Sequence, residues 1–480
     1  MLAIRLWLSV ALAFTATAAA ADPLTLEEAL RRAHDTYEPL QLAAMQVDRA
    51  RLERDKVEAQ LGWNLGASAG VSHDLSFIGE PVDRVSGGAA VERALESGRR
   101  VGVSAEYAYE DNAFSFSPAL PNPANIANLD LNYRIPLRQG EGNPAYTQGL
   151  AAAAARVGLS EAELDALRQQ VAQQVIDLYF ASARVRALMD NARAAIARAE
   201  RLREFVRENE RLGLAEDKDI LQAEAQVRAR GGDLRALEVA WERQRTALNR
   251  LTARRPRAEF DTEPAPSDRP TGSTDALVAQ AEASSPALQR NAARVALAET
   301  VIEQTRDAAR DQMDVVLSAG TRTRFGDADL GDVNDSELAG GVRIEYTRAL
   351  DRRGFDAELQ QALLDRDIAR DEMKVIRDDL RYDIEGLVSE IDSGTRALRQ
   401  YRRQLAAERA KMDDALERYR SGRIDTATLI QFEAERRAAE LAVETQAVDI
   451  QAARARLDLL RGALWPRVAP GTAAPRNASP

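Results

Sequence analysis

The chain contains no cysteine, which excludes a disulfide framework, a thiolate metal ligand, a cysteine nucleophile and a lipid-bearing cysteine at a processing site. Its two histidines, His34 and His73, lie far apart in different expected elements, leaving little material for a histidine metal site or a catalytic triad. No glycine-rich loop runs into Lys-Ser or Lys-Thr, so P-loop nucleotide hydrolysis has no candidate either. We therefore expect no enzyme, no cofactor and no metal. Basic residues do not predominate: the net charge of −11 argues against a nucleic-acid partner, whose phosphates need a basic surface. Beyond the first residues no apolar run approaches the roughly 20 positions that a membrane-spanning helix requires.

What is present starts with an address. Arg5 precedes the apolar run 6–14, and small residues 16–21 lead to Asp22, the plan of a secretory signal peptide over 1–21. The mature chain is expected to be exported and to be soluble, peripheral or a β-barrel. Aromatic residues make up only 5%, while Ala, Arg, Glu, Asp, Gln and Leu dominate, a mix that points to long helices of coiled-coil character.

The pattern occurs twice. A first repeat over 22–253 and a second over 276–465 flank a Pro-rich linker, 254–275, and a tail at 466–480 is expected to be disordered. Ala29-Leu30 with Pro39 matches Ala276-Leu277 with Pro286 at the same separation. Ser-Ala-Gly at 68–70 returns at 318–320, and residues 213–226 align without a gap on 422–435. In each half a glycine, Gly213 or Gly422, sits between two long helical patterns, where it ends one helix and permits the turn into the next. Leu164, Leu167, Val171, Val175 and Leu178 recur at helical steps, as do Leu398, Tyr401, Leu405, Met412, Leu416 and Tyr419. Such narrow stripes suit side-by-side antiparallel packing.

Between the helices the period changes to two. Trp63, Leu65, Ala67, Ala69 and Val71 alternate with small or polar residues, and Val101 to Tyr109, Leu129 to Leu137, 315–325 and 338–346 repeat the alternation. An apolar face can meet a second sheet or it can meet lipid, and alternation does not separate the two. Four to six strands cannot close a wide barrel alone, so a lipid reading requires several chains to share one. Residues 111–128 and 326–336 read as exposed turns, and 87–98 fits either an extra hairpin arm or an outer excursion.

The strand exit Tyr133-Arg134-Ile135-Pro136-Leu137-Arg138, the tips Arg211-Leu212-Gly213-Leu214 and Tyr419-Arg420-Ser421-Gly422-Arg423-Ile424-Asp425, and the Gln-x-Glu-Ala after each tip resemble the TolC-like outer-membrane efflux protein family over essentially the whole mature chain. The resemblance implies a mainly α fold with membrane β: long antiparallel helical hairpins forming an α-barrel, and four transmembrane strands per chain completing a twelve-stranded barrel as a homotrimer. It implies a passive channel of a tripartite efflux or type I secretion system, in the outer membrane and reaching into the periplasm. Outer-membrane lipid, a periplasmic adaptor and an inner-membrane transporter would be its partners. Leu212, Gly213, Leu214, Gly422, Arg423 and Ile424 would then meet the adaptor. Family members often carry acidic residues just past the second tip. Thr428 and Gln431 stand there in this chain, with Asp219 and Gln222 at the matching places of the first repeat. An acidic pore entrance would rest on Asp219 and Asp425. The competing expectation is a periplasmic coiled-coil adaptor or scaffold, which would carry one helical hairpin rather than a duplicated plan.

Overall fold

The computed structural model describes residues 22–75, 80–113, 117–213, 215–262, 273–421 and 423–464. The expected leader, linker residues 263–272 and the tail lie outside them. In chain order the elements are β1 (Asp22–Leu24), α1 (Leu26–Thr36), α2 (Glu38–Glu58), β2 (Trp63–Leu75), β3 (Pro81–Ala94), β4 (Arg100–Asn112), β5 (Ala124–Pro136), α3 (Pro144–Arg211) and α4 (Asp217–Leu251). There follow β6 (Phe260–Thr262), α5 (Thr274–Ser284), α6 (Pro286–Ala308), β7 (Gln312–Ala328), β8 (Gly331–Thr347), α7 (Arg353–Arg420) and α8 (Thr426–Leu460). Lengths recur between the halves: α3 and α7 each have 68 residues, and α4 and α8 each have 35.

Local chemistry sets the helix ends. Thr25 caps α1, its side chain accepting from the Glu28 N–H at 3.2 Å, and Ser273 caps α5 through the Ala276 N–H at 3.3 Å. Pro39 and Pro286 stand in the first turns of α2 and α6, where an N–H has no intrahelical acceptor to lose. Ser285, directly before Pro286, is extended, and the break between α5 and α6 falls there.

Two compact units divide the chain, each drawing on both repeats. One takes the described residues of Met1–Gln41, Leu167–Ser285 and Asp379–Pro480; the other takes Leu42–Ala166 and Pro286–Asp378.

The first unit is helical, with a short parallel pair, β1–β6, as its sheet. Phe260 of β6 is fully buried, and Tyr179 of α3 donates its hydroxyl to the Leu24 carbonyl of β1 at 3.0 Å. Part of the expected linker is therefore a built element. Asn249 of α4 reinforces it by donating to the Pro256 and Ala258 carbonyls at 3.2 and 2.9 Å. One apolar cluster joins Leu277 and Ala281 of α5 to Ile384 of α7 and Leu457 of α8. Another, built on Val206, Ala223, Met412, Tyr419 and Leu429, ties the α3–α4 turn to the α7–α8 turn. Each fully buried aliphatic side chain in these clusters stabilises the fold by about 1.5–3 kcal/mol relative to exposure.

The second unit holds a six-stranded antiparallel sheet in the order β2-β3-β4-β5-β7-β8. This corrects the expectation of four strands per chain. The longer β region of the first repeat accommodates a complete additional hairpin, because Val85, Val91, Val101, Val103 and Tyr107 keep the same period of two and find partners on both sides. The alternatives left open for 87–98 resolve into strand β3 and the turn at Gly98, whose φ is 82°. The expected outer turns are also shorter than the sequence implied. Residues 124–128 belong to β5, while β7 runs to Ala328 and β8 starts at Gly331, because backbone pairing continues past the point where apolar alternation stops. Among the described residues no helix is long and apolar enough to cross a membrane.

Candidate functional site

Register sorts the side chains of the sheet into two faces. One row crosses it as Leu65, Val91, Val103, Leu131, Ala319 and Gly340, and the next as Trp63, Arg93, Val101, Tyr133, Leu317 and Val342. This face is apolar yet open: Leu65 is 74%, Val71 80% and Leu338 85% exposed. A soluble monomer rarely leaves so continuous an apolar area uncovered. Aromatic side chains bound it at both ends. Trp63, Tyr133 and Tyr346 lie where the strands join helices, and Tyr107, Tyr109 and Phe325 lie toward the turns. Beyond the second set the face turns polar with His73, Asp83, Asp111, Asp327 and Asp332. From Met313 to Phe325 β7 spans about 41 Å at roughly 3.4 Å per residue. At a tilt of about 45° this is about 29 Å along a bilayer normal, close to the apolar band of a membrane barrel.

The opposite face is polar and partly charge-paired. Arg84 of β3 meets Glu106 of β4 at 3.0 Å and Glu110 at 3.8 Å. Arg134 of β5 reaches Asp314 of β7 at 2.8 Å and Glu345 of β8 at 3.0 Å, and Asp314 is buried. Arg322 donates to the Asn128 side chain at 3.3 Å. Small residues, Gly66, Ser68 and Gly70, occupy this face on β2. One face suited to hydrocarbon and one to water is the division a membrane barrel needs.

The second candidate region is the pair of helix turns in the first unit. After α3, Leu212 and Gly213 continue outward, the Gly213 N–H bonding the Glu210 carbonyl at 2.8 Å. Gly213 has φ 74°, and an added Cβ there would touch nothing, so backbone conformation and not space calls for glycine. Leu212 and Arg423 are exposed, whereas Ile424 is half-buried against the cluster that joins the two turns. Leu214 and Gly422 lie outside the described residues.

The residues expected at a pore entrance fall just past the same two turns, Asp425 at the cap of α8 and the others in the first turns of α4 and α8, with more local duties than the sequence suggested. Asp219 closes a capping box with Glu216, accepting from the Glu216 N–H at 3.0 Å. Asp425 is the N-cap of α8, accepting from the Thr428 N–H at 2.9 Å. Hydrogen bonding from Thr428, with Lys218 adding attraction, holds the Asp425 carboxyl below its usual range. Lys218 in turn is raised by its hydrogen bond to Glu216, with Asp219 and Asp425 contributing. Gln222 and Gln431 are exposed, the latter donating to Glu435 at 3.0 Å. Thr426 and Tyr419 share a buried hydroxyl contact at 2.8 Å that stitches the second turn to its own helix.

Sequence reasoning missed a charged interior behind these turns. Arg198 of α3 contacts Glu433 and Glu440 of α8 at 2.5 and 3.2 Å, and Arg436 meets Glu433 at 3.1 Å. A cavity of about 320 Å³ lies beside it, lined by Arg198, Arg230, Arg420 and Arg436 together with Leu202, Phe205 and Met412. Burial, with Glu440 and Asp190 nearby, pushes the Glu444 carboxyl up. Charged residues at helical spacing read in sequence as a solvated face. Only the arrival of α3 against α8 makes them interior.

The fold has relatives among solved structures. The outer-membrane channel OprN shares 18% identity with a TM-score of 0.67, covering 91% of this chain and 90% of that one. VceC, an outer membrane protein of Vibrio cholerae, shares 15% identity with a TM-score of 0.67, covering 91% and 96%. The open state of the Neisseria gonorrhoeae MtrE outer membrane channel shares 18% identity with a TM-score of 0.64, covering 92% and 90%. No protein-family model matches the sequence, and no curated protein matches it. The chain has the fold of these outer-membrane channels, in agreement with the TolC-like resemblance of its motifs.

Proposed function

We propose that the chain is a TolC-like subunit of a trimeric outer-membrane channel, the passive exit duct of a tripartite efflux or type I secretion system. The observation that carries this reading is the exposed apolar face of the sheet, bounded by aromatic residues and backed by a polar face. A soluble adaptor or scaffold would have to cover that face. Among the described residues the only other sheet is the two-stranded β1–β6 pair of the other unit.

In this role the apolar face meets outer-membrane lipid and the polar face lines water. The helices extend the duct into the periplasm, where an adaptor and an inner-membrane transporter dock. The adaptor meets the α3–α4 and α7–α8 turns at Leu212, Gly213, Arg423 and Ile424, and by sequence position Leu214 and Gly422 belong to the same contact. Asp219, Gln222, Asp425, Thr428 and Gln431 border the entrance. Because both aspartates already cap helices and share Lys218, closure there relies on the helix ends holding together as well as on charge. Energy comes from the transporter, and no bond is made or broken in this chain.

Cell fractionation tests the reading first: the protein should sediment with outer membranes and need detergent for release. Recovery in the soluble periplasm would sink it. Purified protein should then open discrete conductance steps in planar bilayers, and a trimer that never conducts would count against the duct.

A further inference from the structure

We propose that the two free edges of the sheet, β2 and β8, pair with each other between neighbouring copies of this chain, so that the barrel closes with six strands from every subunit. The inference rests on the trimeric channel reading above. Three subunits of six strands give eighteen strands, where the family resemblance implied twelve.

The added hairpin is part of the wall. β2 pairs with β3 from Trp63↔Arg93 to Leu75↔Pro81, β3 with β4 from Val82↔Asn112 to Ala94↔Arg100, and β4 with β5 from Arg100↔Arg134 to Glu110↔Ala124. The ladder has no interruption, and β3 and β4 stand between β2 and β5 in the strand order. Both faces also run through the hairpin. Val91 and Val103 continue the apolar row between Leu65 and Leu131, while Gly88 and Glu106 continue the polar row between Ser68 and Asn128. A hairpin lying in water outside the wall would have no use for an exposed apolar row in register with its neighbours.

The edges then require a partner. β2 and β8 occupy the two ends of the strand order, and their outward backbone groups run through the apolar band beside Leu65, Val71, Leu338 and Val342. In hydrocarbon an unpaired N–H or C=O finds no water to bond, so open edges do not persist there. Six strands cannot close on themselves, since about eight already leave an interior only just wide enough for side chains. A second copy meets every requirement. Strand direction alternates along an order of even number, so β2 and β8 run antiparallel, and a copy related by rotation brings its β8 to this β2 in the same sense as every other pair. Odd-numbered residues of β2 and even-numbered residues of β8 share the apolar face. Pairing of odd with even therefore carries the band across the joint, and odd with odd would turn one subunit inside out. Barrel diameter grows roughly in proportion to strand number, so the membrane duct is about half again as wide as a twelve-stranded one.

The absence of cysteine makes the test direct. Ala69→Cys is combined, in the full chain, with a single cysteine replacement on β8: Asn334, Ser336, Leu338, Gly340, Val342 or Ile344 on one face, or Glu337, Ala339 or Gly341 on the other. Each variant is oxidised in native outer membranes and run without reductant. The expected result is a covalent ladder ending at trimer for one register among the even positions, and none for the odd ones. A ladder ending at dimer, or cross-links only at odd positions, overturns the proposal. A second pair, Leu65→Cys with Leu131→Cys, separates the two barrel sizes. With β3 and β4 between them these positions are about 14 Å apart at roughly 4.8 Å per strand, beyond the reach of a disulfide. Its closure within one subunit would show β2 against β5, overturning eighteen strands while leaving the channel intact. A soluble, monomeric protein that forms neither link would instead bring down the channel reading and this one with it. Should the cysteine variants fail to assemble, electron cryo-microscopy of the unmodified trimer counts strands directly: eighteen supports the proposal and twelve refutes it.

Discussion

Replacing Leu131 by arginine places a charge at the middle of the apolar band. Along β5 and β7 the band runs from the level of Met313 to that of Phe325, and Leu131 is paired with Ala319, midway between them. Its side chain is exposed on the apolar face, so in a bilayer it would touch acyl chains. Arginine at the midplane of a barrel's lipid face costs about 2–4 kcal/mol, falling to about 0–1 near the interfaces. Leu131→Arg should therefore lower the stability of each subunit by about 2–4 kcal/mol, and Phe325→Arg, at the boundary, by no more than about 1 from charge placement. The next residue is the control. Asn132 points to the polar face between Gly102 and Ser318, so Asn132→Arg should stay within about 1 kcal/mol of the parent. Reversible unfolding by denaturant in lipid vesicles measures all three. If Asn132→Arg were the costly change and Leu131→Arg neutral, the faces would be reversed. If Leu131→Arg and Phe325→Arg cost the same, the depth assignment would be wrong.

Three further outcomes follow from the helix turns and the interior behind them. Gly213→Ala should cost about 1–2 kcal/mol, because the strain of a left-handed backbone is not relieved by any new contact, and it should appear as faster amide exchange at the α3–α4 turn. Asp219→Ala, which strips the capping box of its return bond, should destabilise the start of α4 by roughly 1 kcal/mol, while Asp219→Asn should recover most of that loss; equal effects of both on stability would show that the carboxylate does not act as a cap. Glu444 has its proton held more tightly when folded than when unfolded, so its contribution is present at acid pH and is lost as pH rises through the folded pKa. Glu444→Gln should then raise the denaturation midpoint at neutral pH and leave it nearly unchanged well below the carboxylate range.

Much of this protein was legible in its sequence because two periodicities announce themselves locally. The helical stripe of Leu164, Leu167 and Val171, the glycine turn at Gly213 and the period-two run from Trp63 to Val71 each depend on neighbours a few residues away. The two turns were likewise recognisable as matching ends of matching helices. The duties of Asp219 and Asp425 were not, since a carboxylate at a helix start can serve as a cap or stand free, and only backbone geometry shows which.

The sequence alone therefore determined the element types, the duplication and the division of each strand into an apolar and a polar side. Tertiary structure decided the number of strands in one sheet, the outcome of the 87–98 segment and the interior position of Arg198, Glu433 and Arg436. The reason is physical. Periodicity is a property of a single segment, whereas strand pairing and burial of charge are properties of which segments meet, and in this chain the partners are separated by tens to hundreds of residues.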